Sequence, residues 1–248
     1  ATVSSTSTFT DVDNRGTLTV SAGGSNTSGI SGLLTNTGSL ILAAGGNSSA
    51  EDVTLTVAKG FTNEGLIELQ GRDAWSNTAA LAVTEGALTN AAAGTVRGAG
   101  DNSGTGNFIT AEMCNRGKIG VLQSMQVGNS GRTFDITNGT VNVAAGKTLT
   151  VTGGGAVTMG ATVVNGSGTL ELAGAQTLDL AGDVILPEGG LTLAPSGTVT
   201  VNGPGSLINE GNTLNIGGET FNTTFLNKGA ATVSSTSTFT DVDNRGTL

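Results

Sequence analysis

Apolar and polar residues alternate in short runs along the whole chain, as in Thr17-Leu18-Thr19-Val20, Thr148-Leu149-Thr150-Val151 and Thr169-Leu170-Glu171-Leu172. Alternation of this kind puts Leu18 and Val20 on one face of an extended segment and the threonines on the other, as in a half-buried strand. Thr and Val favour strands, while the abundant Gly, Ser, Asn and Thr disfavour helix, so the pattern predicts an all-β chain of short strands. Most runs are introduced by Asn, or a small turn residue, followed by Gly: VDNRGTLTV at Asn14, LTNTGSLIL at Asn36, FTNEGLIEL at Asn63, LTNAAAGTV at Asn90, CNRGKIGV at Asn115, ITNGTVNV at Asn138, VNGSGTLEL at Asn165, LINEGNTLNI at Asn209 and LNKGAATV at Asn227. The motif returns at Asn244. Spacings run from 17 to 27 residues, with one gap of 44 that reads as two steps through Pro187-Glu188-Gly189, so ten steps fill 230 residues at a mean of 23.

A period of this length predicts a solenoid. One such strand cannot bury its own apolar face, whereas coils stacked in parallel pair every backbone group with the coil above and below and build a continuous core. The expected fold is a right-handed parallel β-helix of about ten coils per 230-residue unit, the uneven spacing arguing against a left-handed hexapeptide helix. At about 4.8 Å per coil, one unit advances roughly 48 Å. The corner Asn and Gly residues are expected to supply left-handed backbone conformations, and aligned Asn side chains to form a ladder.

A second repeat is longer. ATVSSTSTFTDVDNRGTL at 1–18 recurs letter for letter at 231–248. The expected organisation is one solenoid unit over 1–230 and the opening of the next identical unit over 231–248, cut from a tandem array whose units meet end to end. Neither copy carries a polar or helical cap, and residue 1 falls inside a strand-like pattern without the shape of a signal peptide.

The Asn-x-Gly turns with alternating strands resemble those of bacterial surface β-helix proteins of the haemagglutinin and autotransporter-passenger types, across essentially the whole chain. The resemblance implies secretion, an extracellular or cell-surface location and service as a fibre, stalk, sheath or adhesin. It implies identical units as end-to-end partners, with lateral self-assembly open.

Composition narrows the chemistry. The chain has no His, one Cys, one Trp, no Tyr and 41 Gly in 248 residues. Without imidazole there is no Ser-His-Asp triad and no His-ligated metal, and one Cys forms neither an internal disulfide nor a thiolate cage. A formal charge of −9 and few aromatics argue against nucleic acid as partner. No apolar stretch is long enough for a membrane-spanning helix.

Four features invite a chemical reading. Asp11-Val12-Asp13-Asn14-Arg15-Gly16 resembles the opening of a calcium loop, but Arg15 stands at the third ligand position and Ala22 at the closing one, which favours a solvated turn over divalent-cation binding at Asp11 and Asp13. The aperiodic stretch 91–135, with Phe108, Met113, Cys114 and Met125, reads as a longer coil whose Met and Phe fill the core, or as a lateral contact. Trp75 reads as a loop anchor or a glycan-stacking residue. Between Thr148 and Asn227 six acids (Glu171, Asp179, Asp183, Glu188, Glu210, Glu219) stand without Lys or Arg. The missing cations argue against a polysaccharide-cleaving site and for a solvated face. Unequal coils disfavour an ice-binding Thr array. The expectation is therefore a non-enzymatic structural rod with no catalytic residues and no cofactor, with an adhesin or glycan-binding rod as the alternative.

Overall fold

The computed structural model describes residues 1–46, 51–72, 76–101, 106–174 and 176–248. Among them there is no helix; short parallel strands stack as a β-solenoid of about 9 turns. The chain divides into two compact units, Ala1–Gly128 and Asn129–Leu248.

In the first unit each coil contributes strands to three stacks. One runs through Thr2–Val3, Thr17–Ser21, Ser39–Ala43, Leu66–Gly71, Thr95–Gly100 and Lys118–Val121. A second runs through Thr8–Phe9, Asn26–Ile30 and the opening halves of Val53–Asn63, Ala79–Asn90 and Asn107–Asn115. The third joins Val12–Asn14 and Leu34–Asn36 to the closing halves of those same long strands. Inward residues repeat from coil to coil: Leu18, Leu40, Ile67, Val96 and Ile119 are directly in register, and all are buried. Leu55, Leu81, Ile109 and Val127 form the matching row on the second stack. Each leucine or isoleucine so buried contributes roughly 1.5–3 kcal/mol relative to exposure. The alternation seen in the sequence is thus the inside-outside alternation of the coils.

The second unit repeats the scheme with aromatic residues toward its higher-numbered end. Phe134, Val157, Leu178, Val201, Phe221 and Phe239 are in register, and the Phe221 and Phe239 rings stack at 4.9 Å between centroids. The 44-residue gap between Asn165 and Asn209 does hold an extra coil, in which Leu186 stands opposite Asn209.

Coil length varies from 17 residues (Thr2 to Thr19) to 29 (Leu66 to Thr95), and the surplus is absorbed at corners. Between Ala82 and Ala87 the register shifts, with Gly86 at φ 71°.

The expectation that corner residues adopt left-handed backbone holds for glycines such as Gly166 (φ 84°) and Gly189 (φ 63°) and is corrected for the asparagines. Among the described asparagines only Asn138 does so, at φ 59°. The Gly of Asn-x-Gly is required by close approach instead: a Cβ on Gly38 would lie 2.1 Å from the carbonyl oxygen of Gly16, and one on Gly65 2.0 Å from that of Gly38. Coils at β-ladder spacing leave no room for a side chain where the chain turns directly over the turn below.

Gly65→Ala is therefore expected to destabilise by roughly 1–3 kcal/mol through overpacking, whereas Gly16→Ala, whose Cβ meets nothing within 4 Å, stays within about 0.5 kcal/mol. Urea denaturation of the two variants, read side by side, checks the contrast.

Candidate functional site

The most ordered polar constellation is a row of buried asparagines at one corner. In the first unit the Nδ2 of Asn14 donates to Oδ1 of Asn36 at 2.7 Å, Asn36 to Asn63 at 2.6 Å, Asn63 to Asn90 at 2.8 Å and Asn90 to Asn115 at 2.6 Å. The same amide groups also donate to carbonyl oxygens of the next strand, those of Ser39, Leu66, Thr95 and Lys118. A second row in the other unit links Asn209 to Asn227 at 2.9 Å and Asn227 to Asn244 at 2.8 Å. Each of these asparagines closes a strand, so its side chain turns inward where the backbone leaves the ladder. Its side-chain amide thereby ties its own turn to the strand that opens the next coil.

Asn138 and Asn165 stand outside both rows. Both are exposed; Asn138 sits in a turn with its backbone amide donating to the carbonyl of Gly160 at 3.0 Å, and Asn165 lies opposite Asn142. The sequence carries the distinction. Asn138 and Asn165 are followed directly by Gly, whereas Asn14, Asn36, Asn63, Asn115, Asn209 and Asn227 have one residue between Asn and Gly.

A second polar corner escaped the sequence reading because it has no fixed motif. Buried Asn26 donates to the carbonyls of Ser21 and Val3 at 2.9 and 3.0 Å. Asn107 accepts from the amide of Gly71 at 2.8 Å and donates to the carbonyls of Ala99 and Ser124. In the other unit Asn129 donates to Gln176, and Glu219 takes the corresponding place just before the strand Thr220–Asn227. Glu219 is buried and accepts from the amide of Gly217. Burial pushes its carboxyl above the usual glutamate value, the backbone hydrogen bonds from Gly217 and Glu219 itself opposing the shift.

Asp11 and Asp13 do not converge. Asp11 accepts from the amide of Leu33 at 2.6 Å, and Asp13 pairs with Arg15 at 2.8 Å. In the second copy Asp241 accepts from the hydroxyl of Thr224, and Arg245 holds the Asp243 carboxyl below its usual range through a hydrogen bond. Among the described residues no group of three or more His, Cys, Asp or Glu is placed to hold a metal ion.

The acidic stretch is likewise dispersed, Glu171, Asp179 and Asp183 lying on successive strands and corners of one coil and Glu210 on the next. Glu171 accepts from Thr150 at 3.0 Å and Ser196 at 2.9 Å, Asp179 from Asn202 at 3.1 Å, Asp183 from the amide of Ser206 at 2.9 Å, and Glu210 pairs with Lys228 at 2.8 Å. These carboxylates clip one coil to the next. Glu68, in the first unit, does the same with Arg97 directly opposite it.

No family model, curated protein or solved structure matches this chain. The remaining sequence candidates separate by face. Met113 and Met125 are buried in the core, while Phe108 and Cys114, outward-facing on Asn107–Asn115, are half-exposed. Trp75 lies outside the described residues. Ile185, Ile208 and Leu226 form an outward apolar row in register, Ile185 being 49% exposed. The described surface shows no pocket. What the arrangement does chemically is hold coils together: amides at two corners, carboxylates along the faces.

Removing one amide from the row leaves its neighbours' buried groups unpaired, so Asn63→Ala is expected to lower stability by about 1–3 kcal/mol, and Asn165→Ala by no more than about 0.5 kcal/mol, both read from urea midpoints. For Glu219 the folded chain holds the proton more tightly than the unfolded one. Its contribution is thus greatest at low pH and falls as pH rises from the ordinary value of 4.5 toward the raised one. Glu219→Gln is expected to melt above the parent at pH 7 and to converge with it near pH 3.5, measured by thermal melts across that range.

Proposed function

We propose that this chain is a non-enzymatic structural protein, an extracellular fibre, stalk or sheath element of bacterial cell-surface type, made of tandem β-solenoid units stacked end to end. In this reading residues 1–230 form one unit and 231–248 open the next. One observation carries it: the same 18 residues form a coil at both places, with a following coil stacked on one copy and a preceding coil on the other. A segment that continues a solenoid in either direction is what a tandem array requires. Within each unit the rows of buried apolar residues and the asparagine rows support a mechanical role, since they tie successive coils together at a fixed spacing. The carboxylates and the net charge of −9 limit sideways association. No cofactor enters this reading, and calcium at Asp11 and Asp13 is no part of it.

The alternative, an adhesin or glycan-binding rod, draws support from half-exposed Phe108 on the outer face. Electron microscopy of the native material, with diffraction from aligned specimens, separates the two. A meridional spacing near 4.8 Å together with a longer axial repeat of roughly 48 Å is expected of stacked units; short separate rods or globules would overturn the fibre reading in favour of the adhesin.

A further inference from the structure

Asparagine glycosylation reads Asn-x-Ser/Thr with x other than Pro, a pattern present at Asn26, Asn47, Asn138, Asn165 and Asn222. Asn47 lies outside the described residues. The structure sorts the other four by burial and by what each side-chain amide already holds. Asn26 is 1% exposed and donates to the carbonyls of Ser21 and Val3. Asn222 is exposed on the strand Thr220–Asn227, but its Nδ2 donates to Oδ1 of Asn202 at 2.8 Å, and Asn202 donates in turn to Asp179 at 3.1 Å. Asn138 and Asn165 are exposed, and among the described contacts neither side-chain amide has a hydrogen-bond partner.

Their freedom follows from the turns they occupy. In the asparagine rows the second residue after Asn36, Asn63 and Asn115 is Gly38, Gly65 and Gly117, where the turn below leaves no space for a Cβ; at Gly117 it would lie 2.2 Å from the carbonyl oxygen of Ala91. A row corner of this kind admits neither Ser nor Thr at that position, so the ladder and the glycosylation pattern exclude each other there. At Asn138 and Asn165 the glycine stands one place earlier and a hydroxyl residue follows it, Thr140 and Ser167, while the asparagine is exposed. Asn138 has a conformational reason to be asparagine, its φ of 59°. Asn165 is not among the residues with positive φ and belongs to no row, so neither backbone nor ladder accounts for its amide. The two positions flank one patch. Val163, 52% exposed, lies opposite Thr140 and two residues before Asn165, on the same face of the strand Val163–Asn165.

We propose that Asn138 and Asn165 are N-glycosylation sites, each joined through Nδ2 to the anomeric carbon of a sugar. The co-reactant is a phosphate-activated sugar, delivered by a glycosyltransferase of the producing cell. Nδ2 attacks the anomeric carbon, and the N–C bond forms as the C–O bond to phosphate breaks. The phosphate leaves with that electron pair, and the amide gives up one proton to a base on the transferase. Thr140 and Ser167 supply the hydroxyl that the transferase reads beside the amide. A glycan on Asn165 lies next to Val163 and covers its exposed apolar side chain, and glycans at both positions add hydrated bulk to that side of the coils. Such modification is independent of whether units stack end to end.

The test is tandem mass spectrometry of native material digested with trypsin and a glutamyl endopeptidase, the peptides being read intact without glycan release. Cleavage after Arg132, Lys147, Glu171, Glu219 and Lys228 isolates Asn138 in peptide 133–147, Asn165 in 148–171 and Asn222 in 220–228. The first two are expected to carry at least the mass of one hexose or N-acetylhexosamine, localised by fragmentation to Asn138 and Asn165, and the third to be bare. Single monosaccharides identify a nucleotide-activated donor and a fixed oligosaccharide a lipid-linked one; either supports the proposal. Peptide 133–147 or 148–171 found only bare, only with asparagine converted to aspartate, or with sugar only on a hydroxyl overturns the site it contains. Sugar on Asn222 overturns the selection of sites by an exposed, unengaged amide.

Discussion

The spacing between successive coils, fixed by backbone hydrogen bonding at about 4.8 Å, governs everything else in this protein. A side chain that faces inward must pack against its counterpart one coil away, so apolar rows such as Leu18, Leu40, Ile67, Val96 and Ile119 arise from repetition rather than from any single jigsaw fit. A polar group at a corner, where the backbone leaves the ladder, must find its partner at that same distance. Asn meets this demand because its amide is donor and acceptor at once, and a row of them passes the requirement along without a terminal deficit inside each unit. The glycines obey the same spacing in the opposite sense: at Gly38 and Gly65 the neighbouring coil is so close that only hydrogen fits.

Much of this was legible from the sequence because it is periodic. Alternation gave the inward and outward faces, and the recurring Asn gave the coil step, even across the gap where Leu186 replaces it. The division of the asparagines was also present, in the single residue between Asn and Gly that separates Asn36 and Asn63 from Asn138 and Asn165, but its meaning depends on strand ends that only the three-dimensional register defines. The second corner was not legible. Asn26, Asn107, Asn129, Gln176 and Glu219 occupy related places with three residue types and no shared neighbours, since a side chain that reaches loop carbonyls is less constrained than one that must match its own copy.

The acidic residues show why composition alone misdirects. Six acids without a nearby cation in sequence look like a charged face or a cluster. In space Glu171, Asp179 and Asp183 each meet a hydroxyl or an amide one coil away, and the first cation after the run, Lys228, pairs back to Glu210. A solenoid places residues about 23 apart in contact, so neighbours in sequence are poor guides to partners.

In both rows each asparagine-to-asparagine hydrogen bond runs from the amide of the lower-numbered coil to the oxygen of the higher-numbered one. The rows are therefore vectors, with a donor end and an acceptor end. Continuing either row by one more asparagine therefore requires a coil running in the same axial sense, since the opposite sense would set NH2 against NH2 or oxygen against oxygen.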